Sequence, residues 1–406
     1  MIGVGDRIPV RCRAVAHGGS MLADIPGDAE RRTVFVRHAL PGEEGEAVVT
    51  GVRRRGLLVD ADLVVVSRAS PDRVAPPCPY SAAGGCGGCD FQHASLPAQR
   101  ALKADVVRDC LRRIARLDPD ALPWDGLVHA VPGDEAGLRW RTRSRFLVAG
   151  SGLAMRGRRA SRTVPIADCL IAMEDVVSAA RRAAADAAAT SGVEVWAVRS
   201  STGEALAGVV GSRSGAPGTV GEAVGGRVLR VRGDGFWQVH PGAAGALADD
   251  VAAVLRPRAG ESLLDLYGGV GLFAAALADD LAPGAIHVVE GDAGACAMAR
   301  RNLAGIAGAA VHTAAVLPWL QAFRGPADLV VLDPPRSGAG GPVLRELHRL
   351  APRAVAYVAC DPAALARDLR TVHDLGWRLE SLRAHDMFPM THHVECVAGL
   401  VPPQRD

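Results

Sequence analysis

Four short apolar runs, ESLLDLY, AIHVVE, ADLVVLD and RAVAYVAC, recur between residues 261 and 360, each followed by a turn and a helix-like, mostly alanine-rich stretch. Runs this short, bounded by turn residues, read as buried strands. Strands that alternate with helices build a mostly parallel sheet covered on both faces. From about residue 240 the chain is therefore expected to form a doubly wound α/β domain, with ligands held at the carboxyl ends of its strands.

The first run opens into Asp265-Leu-Tyr-Gly-Gly-Val-Gly-Leu-Phe273, which sets Gly268, Gly269 and Gly271 between a strand and a helix. A residue without Cβ lets a ligand approach the backbone closely, although a bare strand-to-helix turn uses glycine too. Glu290 ends the next strand, where a carboxylate can accept two ribose hydroxyls. A nicotinamide cofactor would use the same two devices. The third strand end separates the readings, because Asp333-Pro334-Pro335-Arg336 forms a rigid polar turn that hydride transfer does not need. Such turns resemble those of S-adenosylmethionine-dependent methyltransferases acting on planar nitrogen heterocycles. The plain alternative for Asp333 is a helix N-cap or turn residue.

The fourth run ends in Cys360-Asp361-Pro362. A lone strand-end cysteine is usually inert core, but this one falls at the same sheet edge as the glycine loop and Asp333. Methylating C5 of a pyrimidine requires a thiolate to add at C6 and make C5 enolate-like. A base must then remove the C5 proton, and the carboxylate of the closing segment MFPMTHHVE is Glu395. Read alone, Glu395 is a surface carboxylate.

Together these segments resemble the class I RNA 5-methyluridine methyltransferase family: FWQVH at 236 to 240, DLYGGVG, VVEGD, DPPR, YVACDP and HHVE stand in the family's order with family-like gaps. The resemblance implies that Gln238, Tyr267, Gly268, Gly271, Glu290 and Asp333 bind S-adenosylmethionine, that Cys360 is the nucleophile and that Glu395 is the base. Two departures stand out. Gly268 replaces a common cysteine, an exchange expected only to relax packing. Asp361 replaces a common asparagine and would raise the thiol pKa of Cys360 unless a cation compensates. VHTAAVLPWL also offers alanines where an acid near adenine is expected, so adenine recognition is the least defined part of the pocket.

Residues 1 to 67 hold about five valine-rich strands punctuated by Gly-Gly and Pro-Gly, the pattern of a small OB-like barrel. SRASPDRVAPPCP reads as a linker, and LPAQRALKADVVRDCLRRIARL as an amphipathic packing helix. Three cysteines then matter, because Cys78, Cys86 and Cys89 lie among Gly84, Gly85, Gly87 and Gly88 in the spacing C-x7-C-x2-C. Four thiolates would suit zinc or a [4Fe-4S] cluster, and from spacing alone zinc is the safer choice. One branch of the family carries a cluster on C-x5-C-G-G-C plus a distant cysteine, which Cys169 matches; this chain inserts two residues in the first gap. That branch has an amino-terminal TRAM barrel. Cys12, Cys110, Cys296 and Cys396 read as ordinary cysteines.

The whole chain carries 46 basic and 44 acidic residues, so net charge does not identify a partner. Locally the balance breaks: Leu138 to Arg162 holds eight arginines and no acid. Strand alternation would put Arg139, Arg141, Arg143 and Arg145 on one face, as a phosphate-tracking surface or a merely solvated one. The expected organisation is an RNA-binding TRAM/OB-like barrel (1–70), a central domain with the cysteine cluster and basic strand (71–235) and a methyltransferase domain (236–406). No window approaches the about 20 apolar residues that span a bilayer, so a cytoplasmic, monomeric protein is expected. Its partner by resemblance is RNA, with 23S rRNA ahead of the tRNA T-loop. A decayed RNA-binding protein is disfavoured because Gln238, Glu290, Asp333, Cys360 and Glu395 are all present. An RNA m5C enzyme resembles a pattern with a second cysteine where Arg336 stands.

Overall fold

The computed structural model describes residues 2–133, 136–150, 152–158, 162–186, 193–211 and 218–403. Five strands, β1 (Arg7–Val15), β2 (Met21–Asp24), β3 (Thr33–Arg37), β4 (Glu44–Arg53) and β5 (Leu58–Arg68), close a barrel in the order β1-β2-β3-β5-β4. Only the β3–β5 pair is parallel, and β4 returns to pair with β1, the Greek-key closure of an OB-like barrel. Alternation fills it: Ile8, Val10 and Cys12 of β1 and Val59, Ala61 and Leu63 of β5 turn inward.

The proline-rich segment after β5 is pinned rather than loose. Arg73 forks onto the fully buried carboxylate of Glu43, with its Nε 2.6 Å from Oε1 and its Nη2 2.6 Å from Oε2. A buried charge needs such a partner, so the linker is tied through Arg73 and the Ser70 amide to the segment between β3 and β4. Helix α1 (Leu96–Cys110) follows, capped by Ser95, whose hydroxyl accepts from the Ala98 amide. It buries Leu102, Val106, Val107 and Cys110, the expected apolar face, and also Lys103, whose ammonium meets Asp386.

The short β6 (His129–Ala130) leads to a five-stranded antiparallel sheet in the order β11-β10-β7-β8-β9, built from β7 (Arg143–Ala149), β8 (Gly152–Arg156), β9 (Thr163–Ile166), β10 (Glu194–Arg199) and β11 (Ala205–Val209). Helix α2 (Glu174–Asp186) lays Val176, Val177 and Ala180 on its inner face, against Phe146, Val148 and Val195. A hairpin, β12 (Thr219–Val224) with β13 (Arg227–Arg232), completes the middle of the chain.

Here the arginine stripe departs from expectation. Strand β7 begins only at Arg143, and Arg139 sits at φ +55°, so the four arginines do not share one strand face. Arg139 binds Asp168 and the carbonyls of Cys169 and Ala172. Arg143 is buried, donating to Glu222 and to the carbonyls of Arg232, Gly233 and Gly235. Arg141 is partly buried and donates to the Arg143 carbonyl, which leaves Arg145 as the exposed member of the set. Arg159 of the same run lies outside the described residues.

The remaining elements are α3 (Ala243–Leu255), β14 (Leu263–Leu266), α4 (Leu272–Leu281), β15 (Ile286–Glu290), α5 (Ala293–Asn302), β16 (Ala309–Thr313), α6 (Val316–Ala322), β17 (Leu329–Leu332), α7 (Gly341–Leu350), β18 (Ala354–Ala359), α8 (Pro362–Asp374), β19 (Arg378–Asp386) and β20 (Glu395–Val401). They form an eight-stranded sheet in the order β16-β15-β14-β17-β18-β20-β19-β6, in which β14 to β18 run parallel and β20 is antiparallel to both neighbours. The central strands β14, β17 and β18 are buried on both faces, while the edge strands β16 and β6 are not. Leu264, Leu266, Val330, Leu332, Val355 and Tyr357 face one helical layer, while Leu263, Leu329, Val331, Ala356 and Val358 face the other. Burying one such leucine or valine contributes roughly 1.5–3 kcal/mol, so a charged residue at Leu332 would break the layer. The doubly wound Rossmann-like domain expected from the alternating runs is the one observed. Strand order reverses between β14 and β17, the place where such sheets open a crevice at their carboxyl edge. No helix among the described residues is long and apolar enough to cross a membrane.

Candidate functional site

Past β14 the chain turns sharply. Tyr267 takes φ +61°, a left-handed conformation rare for a large side chain. Its amide still donates to the Val289 carbonyl at 2.9 Å, so the strand pairing continues to the bend. Such strain persists where surrounding structure enforces it, commonly at ligand sites. At Gly268 an added Cβ would stand 2.7 Å from Val288 Cγ1 and 3.0 Å from Asp265 Cγ, so glycine there meets a close contact and does not relax the packing. Gly271 starts α4 at φ +90°.

Glu290 lies across the crevice and accepts from the Gly269 amide at 3.1 Å and the Asp292 amide at 2.7 Å. Each oxygen keeps a further lone pair for a ligand hydroxyl. Tyr267 and Glu290 line a cleft of about 420 Å³ whose far wall is apolar, made by Ala314, Ala315, Val316 and Pro318. That is the wall where an acid was looked for, and it suits the flat face of an aromatic ring. Gln238 is buried between β13 and α3 and is not part of this lining.

Beneath the loop, Asp265 is fully buried with one partner, the Ala274 amide at 3.0 Å on Oδ2, while its Oδ1 has none. Burial, together with the charge of Glu290, pushes its carboxyl up to about 7. Asp333, at the end of β17, is pushed up to about 7 by desolvation and by the charges of Asp265 and Glu290.

On the other side of Asp333 the antiparallel β18–β20 register pairs Ala359 with Cys396. One residue further, this sets Cys360 opposite Glu395. Facing residues on neighbouring strands hold their Cβ atoms about 4.5–5.5 Å apart. Desolvation and the charges of Glu395 and Asp333 push the Cys360 thiol up to about 12, and Arg336 acts the other way. Glu395, almost wholly buried, has its carboxyl raised well above the usual range by burial and by Asp333, again opposed by Arg336. Asp361 does not act as expected on Cys360. Its carboxylate turns away, with Oδ1 accepting the Ala364 amide at 2.8 Å to cap α8 and Oδ2 lying 3.0 Å from His17 Nε2 of the barrel.

The loop that delivers Glu395 is held by distant segments. The Met390 amide donates to Gln99 of α1 at 2.7 Å, and its carbonyl accepts from the Asp90 and Phe91 amides at 2.9 and 3.0 Å. The Asp90 carboxylate takes His392 Nδ1 at 2.6 Å and also meets Arg158. Asp90, Gln99 and His17 carry no local motif that would mark them in the chain.

Asp90 adjoins the cysteine segment. Cys78, Cys86 and Cys89, close in the chain, and Cys169, 80 residues beyond Cys89, line a single cavity of about 30 Å³ with Tyr80 and Met155. All four thiols are free and shifted upward, chiefly by burial. Cys86 Sγ accepts from the Gly88 amide at 3.4 Å and Cys89 Sγ from Gln92 at 3.2 Å. Neighbouring Cys89 and Cys169 oppose the lowering of the Arg141 pKa that burial causes. At Gly85 a Cβ would lie 2.2 Å from the Tyr80 carbonyl, so the wrap needs glycine. Among the described residues no three His, Cys, Asp or Glu side chains are set to hold a metal ion. Cys12, Cys110, Cys296 and Cys396 are buried.

A family model described as tRNA (uracil-5-)-methyltransferase matches residues 320–401, the segment that carries Asp333, Cys360 and Glu395. The chain is 42% identical to a Streptomyces avermitilis protein described as an RNA methyltransferase, over 98% of this chain and 99% of that one. A Streptomyces coelicolor protein of the same description is also 42% identical, over 98% of this chain and 93% of that one. Among solved structures, the Pyrococcus abyssi tRNA (uracil-54, C5)-methyltransferase in complex with S-adenosyl-L-homocysteine superposes with a TM-score of 0.71. It covers 97% of this chain and 100% of that one at 22% identity, a likeness of fold.

Proposed function

The chain belongs to the uracil-5 RNA methyltransferase family, and from that premise we propose that it makes 5-methyluridine in RNA, using S-adenosylmethionine as methyl donor. The observation that carries this reading is the cross-strand placement of Cys360 opposite Glu395, beside Asp333 and next to the Tyr267–Glu290 cleft. Tyr267, Gly268, Gly271 and Glu290 bind the donor, with Gln238 and Asp333 completing the set. The Cys360 thiolate adds to C6 of the uracil ring and pushes electron density onto C5, which takes the methyl group. Glu395 then accepts the C5 proton, and elimination of the thiolate restores the ring. A carboxylate with a raised pKa is a stronger base, which suits that step. The base must leave its stack to reach the site.

The barrel (1–70) is read as the TRAM module and, with exposed Arg145, as the RNA-holding part of the protein; the engaged Arg139, Arg141 and Arg143 shape its neighbourhood. Cys78, Cys86, Cys89 and Cys169 would hold a [4Fe-4S] cluster. Their shared cavity supports this reading, with the Arg141 guanidinium beside it to offset thiolate charge, and zinc on the same four thiols is the alternative. Its contribution is structural, a cross-link between the cysteine segment and the turn before α2.

The substrate is read as 23S rRNA. The tRNA T-loop is the second reading, favoured by the description of the family model and by the tRNA enzyme of like fold. Mass spectrometric mapping of 5-methyluridine in rRNA and tRNA from a deletion strain decides between them, and unchanged 5-methyluridine in both would overturn the proposal.

A further inference from the structure

The tip of the β1–β2 hairpin touches the turn that carries Cys360, and its seat does not depend on the contacting side chain. Gly18 and Gly19 take φ +93° and +80°. The Gly18 carbonyl accepts from Arg158 at 2.8 Å, and a Cβ on Gly19 would lie 2.7 Å from His392 Cβ. From this seated tip His17 Nε2 reaches Asp361 Oδ2 at 3.0 Å, while Asp361 Oδ1 caps α8 through the Ala364 amide. Both carboxylate oxygens are thus engaged, one by the barrel and one by the helix that begins directly after Cys360. A carboxylate accepts at both positions, whereas an asparagine offers one acceptor and one donor. Capping α8 with its oxygen would turn the asparagine's NH2 toward His17, whose Nε2 would then have to give up its proton and accept, so the charge-assisted bond to the carboxylate would be replaced by a weaker neutral one. His17 and Asp361 are therefore a matched pair.

We propose that His17 is a positioning residue of the methyl-transfer site: by holding Asp361 Oδ2 it fixes the cap of α8, and so couples the seating of the RNA-holding barrel to the presentation of the Cys360 thiol. The proposal rests on Cys360 as nucleophile. It predicts a defect in the addition step that saturating RNA does not repair.

The test uses the full-length protein and two readouts. In the absence of RNA, alkylation of Cys360 by iodoacetamide, resolved by peptide mass spectrometry, should rise several-fold in His17→Ala and in Asp361→Asn as the turn loosens. The double variant should show no more than either single one, because the two side chains act through one contact. With RNA containing 5-fluorouridine at saturating concentration, His17→Ala should form the covalent adduct about tenfold more slowly while its KM for RNA stays within twofold; His17→Gln, which keeps a donor, should stay within threefold of the wild type. Unchanged alkylation in His17→Ala, additive effects in the double variant, or a change in KM alone would overturn the proposal. Absence of an adduct in the wild type would instead overturn the nucleophile assignment, and the alkylation series still reads the coupling.

Discussion

The antiparallel register that joins Ala359 to Cys396, extended by one residue beyond the end of β18, sets Cys360 opposite Glu395, and the charge of Glu395 acts on the thiol. The thiol and the carboxyl are drawn from segments 35 positions apart, and burial together with the charge of Glu395 holds Cys360 in its thiol form. Cys360→Ala should abolish turnover while leaving S-adenosylmethionine binding within a few-fold, because the thiol faces the base and not the Tyr267–Glu290 cleft. Wild-type protein with 5-fluorouridine RNA should give an adduct stable on a denaturing gel, since fluorine cannot leave C5 as a proton. A methylating Cys360→Ala enzyme would end the mechanism.

Arg336 opposes the negative surroundings of both groups. With the thiol held up to about 12, its thiolate fraction near neutrality rises about tenfold per pH unit. Arg336→Gln removes the opposing charge, so the thiol pKa rises further and Cys360 alkylation at pH 8 should fall several-fold. The alkylation rate of Arg336→Lys, which keeps the charge, should lie between those of the wild type and the glutamine variant. Equal rates in all three would show that the guanidinium does not tune the thiol.

Asp265 makes stability depend on pH. A carboxyl raised from 3.8 to about 7 by burial binds its proton more tightly in the folded than in the unfolded chain. The fold therefore loses stability as pH rises from about 4 toward about 7, and nothing further above that. Asp265→Asn removes the titration, so its thermal midpoint should change less across this window than that of the wild type. A wild-type midpoint that instead rises from pH 5 to 7 and an identical rise in the variant would contradict the assignment.

Protein purified without oxygen should be brown and contain about four irons per chain. Replacing Cys78, Cys86, Cys89 or Cys169 with serine should remove iron and loosen the segment around Asp90 before the main sheet, whose core is made by other residues. Replacing Cys12, Cys110, Cys296 or Cys396 should leave iron in place, at a cost of about 1–3 kcal/mol for a hydroxyl in the core. Colourless protein with one zinc would sink the cluster reading.

What the sequence disclosed and what it hid differ in range. The glycine loop, Glu290, Asp333 and Cys360 were legible because each ends a strand in a repeating pattern, and a parallel sheet brings successive strand ends to one edge. The five barrel strands were legible from alternation and turns. The arginine stripe misled because alternation in the chain assumes a strand, and the strand begins only at Arg143. Arg143 then serves as a buried hub for three carbonyls. The contacts that hold the site, Asp90 with His392 and His17 with Asp361, join residues roughly 300 or more positions apart and leave no periodic trace.

The role given to Glu395 begins only after the methyl group has moved. The side chain is almost wholly buried, with its carboxyl raised by desolvation, so it is suited to take and hold a proton. Glu395→Gln keeps the shape and removes that capacity. The variant should bind RNA, join Cys360 to C6 and accept the methyl group at C5, then stall because an amide cannot take the C5 proton. A methylated, covalent RNA–protein complex should accumulate and carry label from a methyl-labelled donor on a denaturing gel. A carboxyl that served only the packing of β20 would give lower stability with no trapped complex. Labelled RNA released at the wild-type rate would show that the proton leaves by another route.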